Sequence, residues 1–190
     1  MKKILVTGAA GQIGSELTMA LREKYGNENV IATGHKKEPD EILRCSGPFH
    51  FIDCSEINTV AEIVKKYRVE TIYHLAALLS AVAEKNPQLA WDVNMNGLYN
   101  VLEVARSYKC AVFTPSSIGA FGPGTPLDNT PQDTIQRPST MYGVTKVAGE
   151  LLCDYYFKKF GVDTRGFRYP GIISYKTLPG GGTTDYAVEI

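Results

Sequence analysis

Between residues 3 and 169, short β-rich runs alternate with longer segments of helical periodicity, and this alternation restricts the architecture more than any other feature. KILVTG reads as a first strand, ENVIAT as a second, PFHFID as a third, TIYHLAA as a fourth, CAVFTPSS as a fifth and VDTRGFRY as a sixth. Helical patterns separate most of them: residues 12–24, with Ile13, Leu17 and Leu21 on one face, then 57–67, 89–108 and 140–160. Parallel strands need crossover connections of this kind, and helices that cross over cover both faces of the sheet. The expected class is α/β, a doubly wound parallel sheet in one domain without internal linker or repeat.

The first strand runs directly into Gly8-Ala9-Ala10-Gly11-Gln12-Ile13-Gly14 and a helix. Glycines permit a tight turn, let backbone approach a pyrophosphate, and let a helix pack closely on a strand. The helix N-terminus adds unpaired N–H groups and positive dipole. A glycine pattern alone is weak; its place between the first strand and first helix of a doubly wound chain makes it a dinucleotide phosphate site. Such a turn normally has an acid at the end of the second strand, holding the ribose hydroxyls of NAD. Here that strand runs into Thr33-Gly34-His35-Lys36-Lys37, with Gly34 at the acid's place. A small residue beside cations suits a 2′-phosphate, so NADP stays open beside NAD; the lysines read equally as a solvated loop. Asp53, just past the third strand, is placed to accept from the adenine amino group.

The fifth strand ends in FTPSSIGAFG, which puts Ser116 and Ser117 at the carboxyl edge of the sheet, where doubly wound folds bind ligands. Tyr142 begins the next helix and Lys146 stands four positions on, one turn along the same face. A hydroxyl, a phenol and an ammonium so arranged form a proton-transfer set. A free phenol, with a pKa of about 10, is a poor base at neutral pH, and a nearby ammonium favours its phenolate. The register favours Ser117, with Ser116 as the alternative. His74 reads as a core-edge histidine, and Trp91, Tyr99 and Leu102 as packing.

Gly8, Gly11 and Gly14 with Ser117, Tyr142 and Lys146 resemble the extended short-chain dehydrogenase/reductases, the NAD-dependent epimerase/dehydratase superfamily. The segments HLAALLSAVAEKNPQLAWDVNMNGLYN, FTPSSIGAFG, TPQDTIQRPSTMYGVTKVAGELL and PGIISYKTLPGGGTTDYAVEI are similar to the NAD-dependent L-threonine 3-dehydrogenase family within it. The resemblance implies a Rossmann-type fold and oxidation of L-threonine at C3 to 2-amino-3-oxobutyrate, with Tyr142 taking the hydroxyl proton and Ser117 orienting the reacting oxygen. It also implies that Gly8, Gly11, Gln12 and Ile13 touch the pyrophosphate, that Lys146 holds the nicotinamide ribose, and that Leu75 and Ala76 line the adenosine side. Thr33, His35 and Asp53 join the cofactor set, Asn94 braces the site, and Tyr169, Pro170 and Ile172 cover the nicotinamide. Ser80, Thr183, Thr184 and Asp185 are implied to hold the amino acid, and the superfamily's habit implies a homodimer. A sugar-nucleotide epimerase or dehydratase, and a non-catalytic dinucleotide-binding fragment, are the alternatives.

Composition narrows the partners. Twenty basic and twenty acidic residues among 190 leave no basic excess for a nucleic acid or an anionic membrane. No apolar run is long enough to span a bilayer, and Ile4-Leu5-Val6 is too short for a signal peptide core. Four cysteines and three histidines show no metal-ligand spacing, so reduced thiols and a cytoplasmic setting are expected. The expected division is a dinucleotide-binding domain over 1–168 and, over 169–190, the start of a substrate-binding region cut short as DYAVEI begins to look helical.

Overall fold

Ile4, Leu5 and Val6 point alternately to the two faces of one strand, and both faces are buried. A computed structural model describes residues 2–173. Its elements in chain order are β1 (Ile4–Thr7), α1 (Gln12–Tyr25), β2 (Val30–Gly34), α2 (Glu41–Cys45), β3 (Phe49–Phe51), α3 (Ile57–Tyr67), β4 (Thr71–His74) and α4 (Ser80–Lys85). There follow α5 (Pro87–Trp91), a π-helical segment (Asp92–Asn96), α6 (Gly97–Tyr108), β5 (Ala111–Phe113), β6 (Ser116–Ser117), α7 (Met141–Phe160), β7 (Thr164–Arg165) and β8 (Arg168–Tyr169). Six strands pair in the order β3-β2-β1-β4-β5-β7, all parallel. The chain reverses its direction of growth between β1 and β4, the crevice where a doubly wound sheet binds its ligand. The expected α/β class is borne out: this is a Rossmann-type sheet.

Leu5, Ile31, Ile72 and Val112 pack under Val60 and Val64 of α3 and Leu98, Val101 and Leu102 of α6. On the opposite face Ile4, Val6, Val30 and Ala32 pack with Leu17 and Leu21 of α1 and Leu43 of α2. Each fully buried aliphatic side chain contributes roughly 1.5–3 kcal/mol, so the sheet is held from both sides. The fully buried Arg22 donates to the carbonyls of Leu43 at 2.6 Å and Pro48 at 2.7 Å and to Ser46 Oγ at 2.6 Å, tying α1 to the turn after α2.

Two expected strands are divided. CAVFTPSS forms β5, breaks at Thr114-Pro115 and resumes as β6; VDTRGFRY forms β7, breaks at Gly166-Phe167 and resumes as β8. Proline supplies no ladder N–H. At Gly166 the Thr114 carbonyl would lie 2.3 Å from any Cβ, so only glycine fits the bend. The resumed pieces leave the main sheet and pair with each other, Ser116 with Arg168 and Ser117 with Tyr169. The short helices α2 and α4 carry too few residues to show a period and are additions to the expected set. All four cysteines are free. Among the described residues no helix is long and apolar enough to cross a membrane.

Candidate active site

The glycine turn packs tightly against the exit of β4 and against α1. Gly8 has φ +68°, and a Cβ there would lie 2.8 Å from the backbone of Leu75 and Ala76. At Gly14 a Cβ would lie 2.1 Å from the Gly8 carbonyl oxygen, which fixes how closely α1 sits on the turn. At Gly11 only that carbonyl is close, at 3.2 Å. Gly11 is also the N-cap of α1, with no side-chain cap and no acid in the first turn. The first N–H groups of a 14-residue helix are therefore left without a side-chain cap, an arrangement that suits a pyrophosphate. Gln12 and Ile13 open that helix, and Gln12 Nε2 reaches the Ile172 carbonyl at 3.5 Å. The residues present thus fit a dinucleotide.

At the adenosine end, Thr33 is buried, with its hydroxyl on the Val6 carbonyl at 3.1 Å and its own carbonyl accepting from Ala9 N–H at 2.8 Å. It serves the glycine turn as scaffold. A Cβ at Gly34 would lie 3.1 Å from the Phe49 ring, so a side chain there would have to displace that ring. The carboxylate arrives from the next strand instead: Asp53 Oδ2 lies 3.4 Å from His35 Nε2. Asp53 accepts from the Ser55 hydroxyl and N–H, and these bonds outweigh burial and hold its carboxyl below the usual range.

Beside β1, the Thr7 hydroxyl accepts from the N–H groups of Leu75 and Ala76 at 3.2 and 3.3 Å, fixing the exit of β4. With both lone pairs so engaged, Thr7 donates to His74 Nδ1 at 2.9 Å. Burial, then the Lys146 charge, brings His74 down to about 3, so it is a neutral core-edge histidine.

The proton-transfer set comes together at the carboxyl edge. Ser117 lies near the Tyr142 phenol, where it opposes the rise that burial causes, and accepts from Gly119 N–H at 3.1 Å. Gly119 leaves the gap between them open: a Cβ there would stand 3.3 Å from the Tyr142 ring and 3.4 Å from Ser117 Oγ. Ser116 turns the other way, buried against Glu150, which leaves Ser117 as the serine of the set. Lys146 Nζ lies 5.3 Å from the Tyr142 ring centre and donates to the Pro115 carbonyl at 2.9 Å. Burial brings Lys146 down to about 8, opposed by Glu150. Burial likewise raises Tyr142, with Ser117 opposing; the expected lowering by Lys146 is not the governing effect in this geometry. A cavity of ≈ 330 Å³ adjoins the set, bounded by Lys146, Asn94, Thr114 and the β4 exit.

Asn94, in the π segment, accepts from Leu78 N–H at 2.7 Å and donates to the Leu78 carbonyl and Thr145 Oγ1, both at 3.2 Å. Thr145 in turn donates to the Tyr142 carbonyl at 2.8 Å, so the loop after β4 is braced to α7. Ser80 begins α4, which reaches α7 through Glu84 Oε1 on Met141 N–H at 2.5 Å. Tyr169 stands beside Ser117 in the β6–β8 ladder and Pro170 follows it. Thr183, Thr184 and Asp185 lie outside the described residues. Sequence reasoning missed Thr7, Gly119 and Glu150; Glu150 alone left a signal, one further step of four beyond Tyr142 and Lys146.

Residues 4–185 match the model of the NAD dependent epimerase/dehydratase family. The chain belongs to that family. An uncharacterized epimerase/dehydratase of Staphylococcus saprophyticus is 60% identical over the whole chain, which covers 59% of that relative. The L-threonine dehydrogenase of Clostridium difficile superposes with a TM-score of 0.96 at 63% identity, over 100% of this chain and 60% of that one. The L-threonine dehydrogenase of Phytophthora infestans gives 0.92 at 51%, over 100% and 60%. A UDP-glucose 4-epimerase of Thermotoga maritima gives 0.81 at 27%, over 88% and 55%. The resemblance to threonine dehydrogenases of this family is thereby borne out, and a nicotinamide dinucleotide is the cofactor the family implies. The chain spans about six-tenths of the length of the relatives it matches.

Proposed function

We propose that this chain carries the dinucleotide-binding and proton-transfer half of an NAD-dependent L-threonine 3-dehydrogenase. The observation that carries this reading is the grouping of Ser117, Tyr142 and Lys146 at the carboxyl edge of the sheet whose first turn is the glycine turn. The choice of threonine is supported by the similarity to the Clostridium difficile and Phytophthora infestans dehydrogenases. Tyr142 accepts the proton of the 3-hydroxyl, and Ser117 holds the oxygen that loses it. Lys146 holds the nicotinamide ribose and donates toward it. NAD, when bound, supplies the acceptor for the hydride leaving C3, and the product is 2-amino-3-oxobutyrate. Gly8, Gly11, Gln12 and Ile13 hold the pyrophosphate, Asp53 and His35 the adenosine, and Tyr169 and Ile172 the nicotinamide side. Residues 1–168 form the dinucleotide-binding domain, and 169–190 open the region that holds the amino acid, with Ser80, Thr183, Thr184 and Asp185 as its contacts.

NAD is preferred over NADP on this reading because the ionised Asp53 beside His35 opposes a 2′-phosphate. Half-exposed apolar side chains on α6 and α7, Tyr99, Leu151 and Tyr155, support a homodimer through these helices. The test is NADH formation with L-threonine and L-serine, with conversion of UDP-sugars followed in parallel by chromatography. Threonine-dependent NADH is the expected result, and activity confined to a UDP-sugar overturns the reading. Because the chain covers six-tenths of its relatives, a second reading is a dinucleotide-binding fragment without turnover; calorimetric NAD binding with no NADH from any substrate supports it.

A further inference from the structure

Glu150 stands one helical turn beyond Lys146, as Lys146 stands one turn beyond Tyr142, so all three share a stripe of α7. Arg168 clasps its carboxylate through Nε at 2.9 Å and Nη2 at 2.7 Å, a bidentate pairing with both side chains mostly shielded from water. The same carboxylate accepts from the Ser116 hydroxyl and from Gln136 Nε2 at 3.1 Å. Arg168 continues to the Gln132 carbonyl at 3.0 Å and lies over the Phe121 ring at 5.1 Å. These contacts converge on one small object. Ser116 and Arg168 face each other in the β6–β8 ladder, and the next rung is Ser117 with Tyr169. A ladder two residues long has little stability of its own, so the side-chain clasp holds it in place.

We propose that Glu150 is a positioning residue of the active site, fixing Ser117 and Tyr169 through Ser116 and Arg168 while its charge stands behind the Lys146 ammonium. This rests on the reading of Tyr142 and Lys146 as the proton-transfer pair. Glu150 does not touch the reacting atoms. The titratable groups around Lys146 are Tyr142, Glu150, Cys153 and Asp154 along α7, His74 from β4, and Arg165 and Arg168 from β7 and β8. His74 is neutral, and Arg168 is already committed to Glu150. The carboxylate of Glu150 is the charge that opposes the burial of Lys146.

Two measurements that need no turnover test this in the 190-residue chain. The first is competitive acetylation across a pH series, with the Lys146 peptide read by mass spectrometry. E150Q keeps the shape of the clasp and removes its charge, and the Lys146 midpoint is expected to fall by about one pH unit. R168M removes a cation and leaves the carboxylate, and the midpoint is expected to rise. The second is hydrogen exchange: in E150Q the Ser116, Ser117 and Tyr169 amides are expected to exchange about tenfold faster, with those of β1 unchanged. An unmoved Lys146 midpoint in E150Q, a downward move in R168M, or unchanged exchange at β6 and β8 overturns the proposal. If E150Q unfolds, the midpoint in R168M decides alone. A chain that never oxidises threonine still gives both readouts, so the two readings fail separately.

Discussion

At the scale of single residues, Tyr142 and Lys146 make separable contributions. Y142F keeps the ring and removes the proton acceptor. Turnover with threonine is expected to fall by about 10²- to 10⁴-fold, while the NAD dissociation constant from calorimetry stays within about twofold. Lys146 answers to pH. Its folded value of about 8 lies below that of an unfolded lysine, so the folded state binds fewer protons between about pH 8 and 10. Stability therefore rises with pH through that window, and the cost of the buried ammonium is fully present below it. K146M is accordingly expected to be more stable than the wild type at pH 7, on the order of 1 kcal/mol by thermal melting, with the gap closing as pH rises toward 10. The spacing of Tyr142 and Lys146 was plain in the sequence. The register already favoured Ser117 over Ser116, but what holds Ser116 away was not legible: its partner Glu150 stands 34 positions on, and no local pattern connects the two.

At the scale of elements, the register of α7 decides where Tyr142 stands. Thr140 caps the helix by accepting from Gly143 N–H at 3.0 Å. T140A is expected to cost about 1 kcal/mol in denaturant unfolding. Gly14 is the corresponding control on α1: with the Gly8 carbonyl 2.1 Å from the added methyl, G14A is expected to cost about 1–3 kcal/mol and to weaken NAD binding. Six β-rich runs and four helical patterns were legible because their apolar residues face two buried sheet surfaces. The division of the fifth and sixth runs was written there as well, in Pro115 and Gly166, but a single proline or glycine does not tell a break from a bulge. The left-over halves find each other only in three dimensions.

At the scale of the whole molecule, light scattering is expected to give twice the 20.8 kDa chain mass, and Y155K, on the exposed face of α7, is expected to return it to one. The glycine turn and Asp53 could both be singled out in the sequence, but how Asp53 and His35 stand to one another could not. Gly34 announces a missing acid, and only the β2–β3 pairing reveals that Asp53 arrives beside His35. Between α5 and α6 the chain carries a change of helical period. The π segment at Asp92–Asn96 carries one residue more than an α-turn would use, so α5 and α6 are out of phase by about 100° across it. Deleting a single residue there would restore an unbroken α-helix and leave the composition nearly untouched. It would also swing Asn94 away from Leu78 and Thr145 and release the loop after β4 from α7. The apparently surplus residue is a spacer, and the site is keyed to its presence.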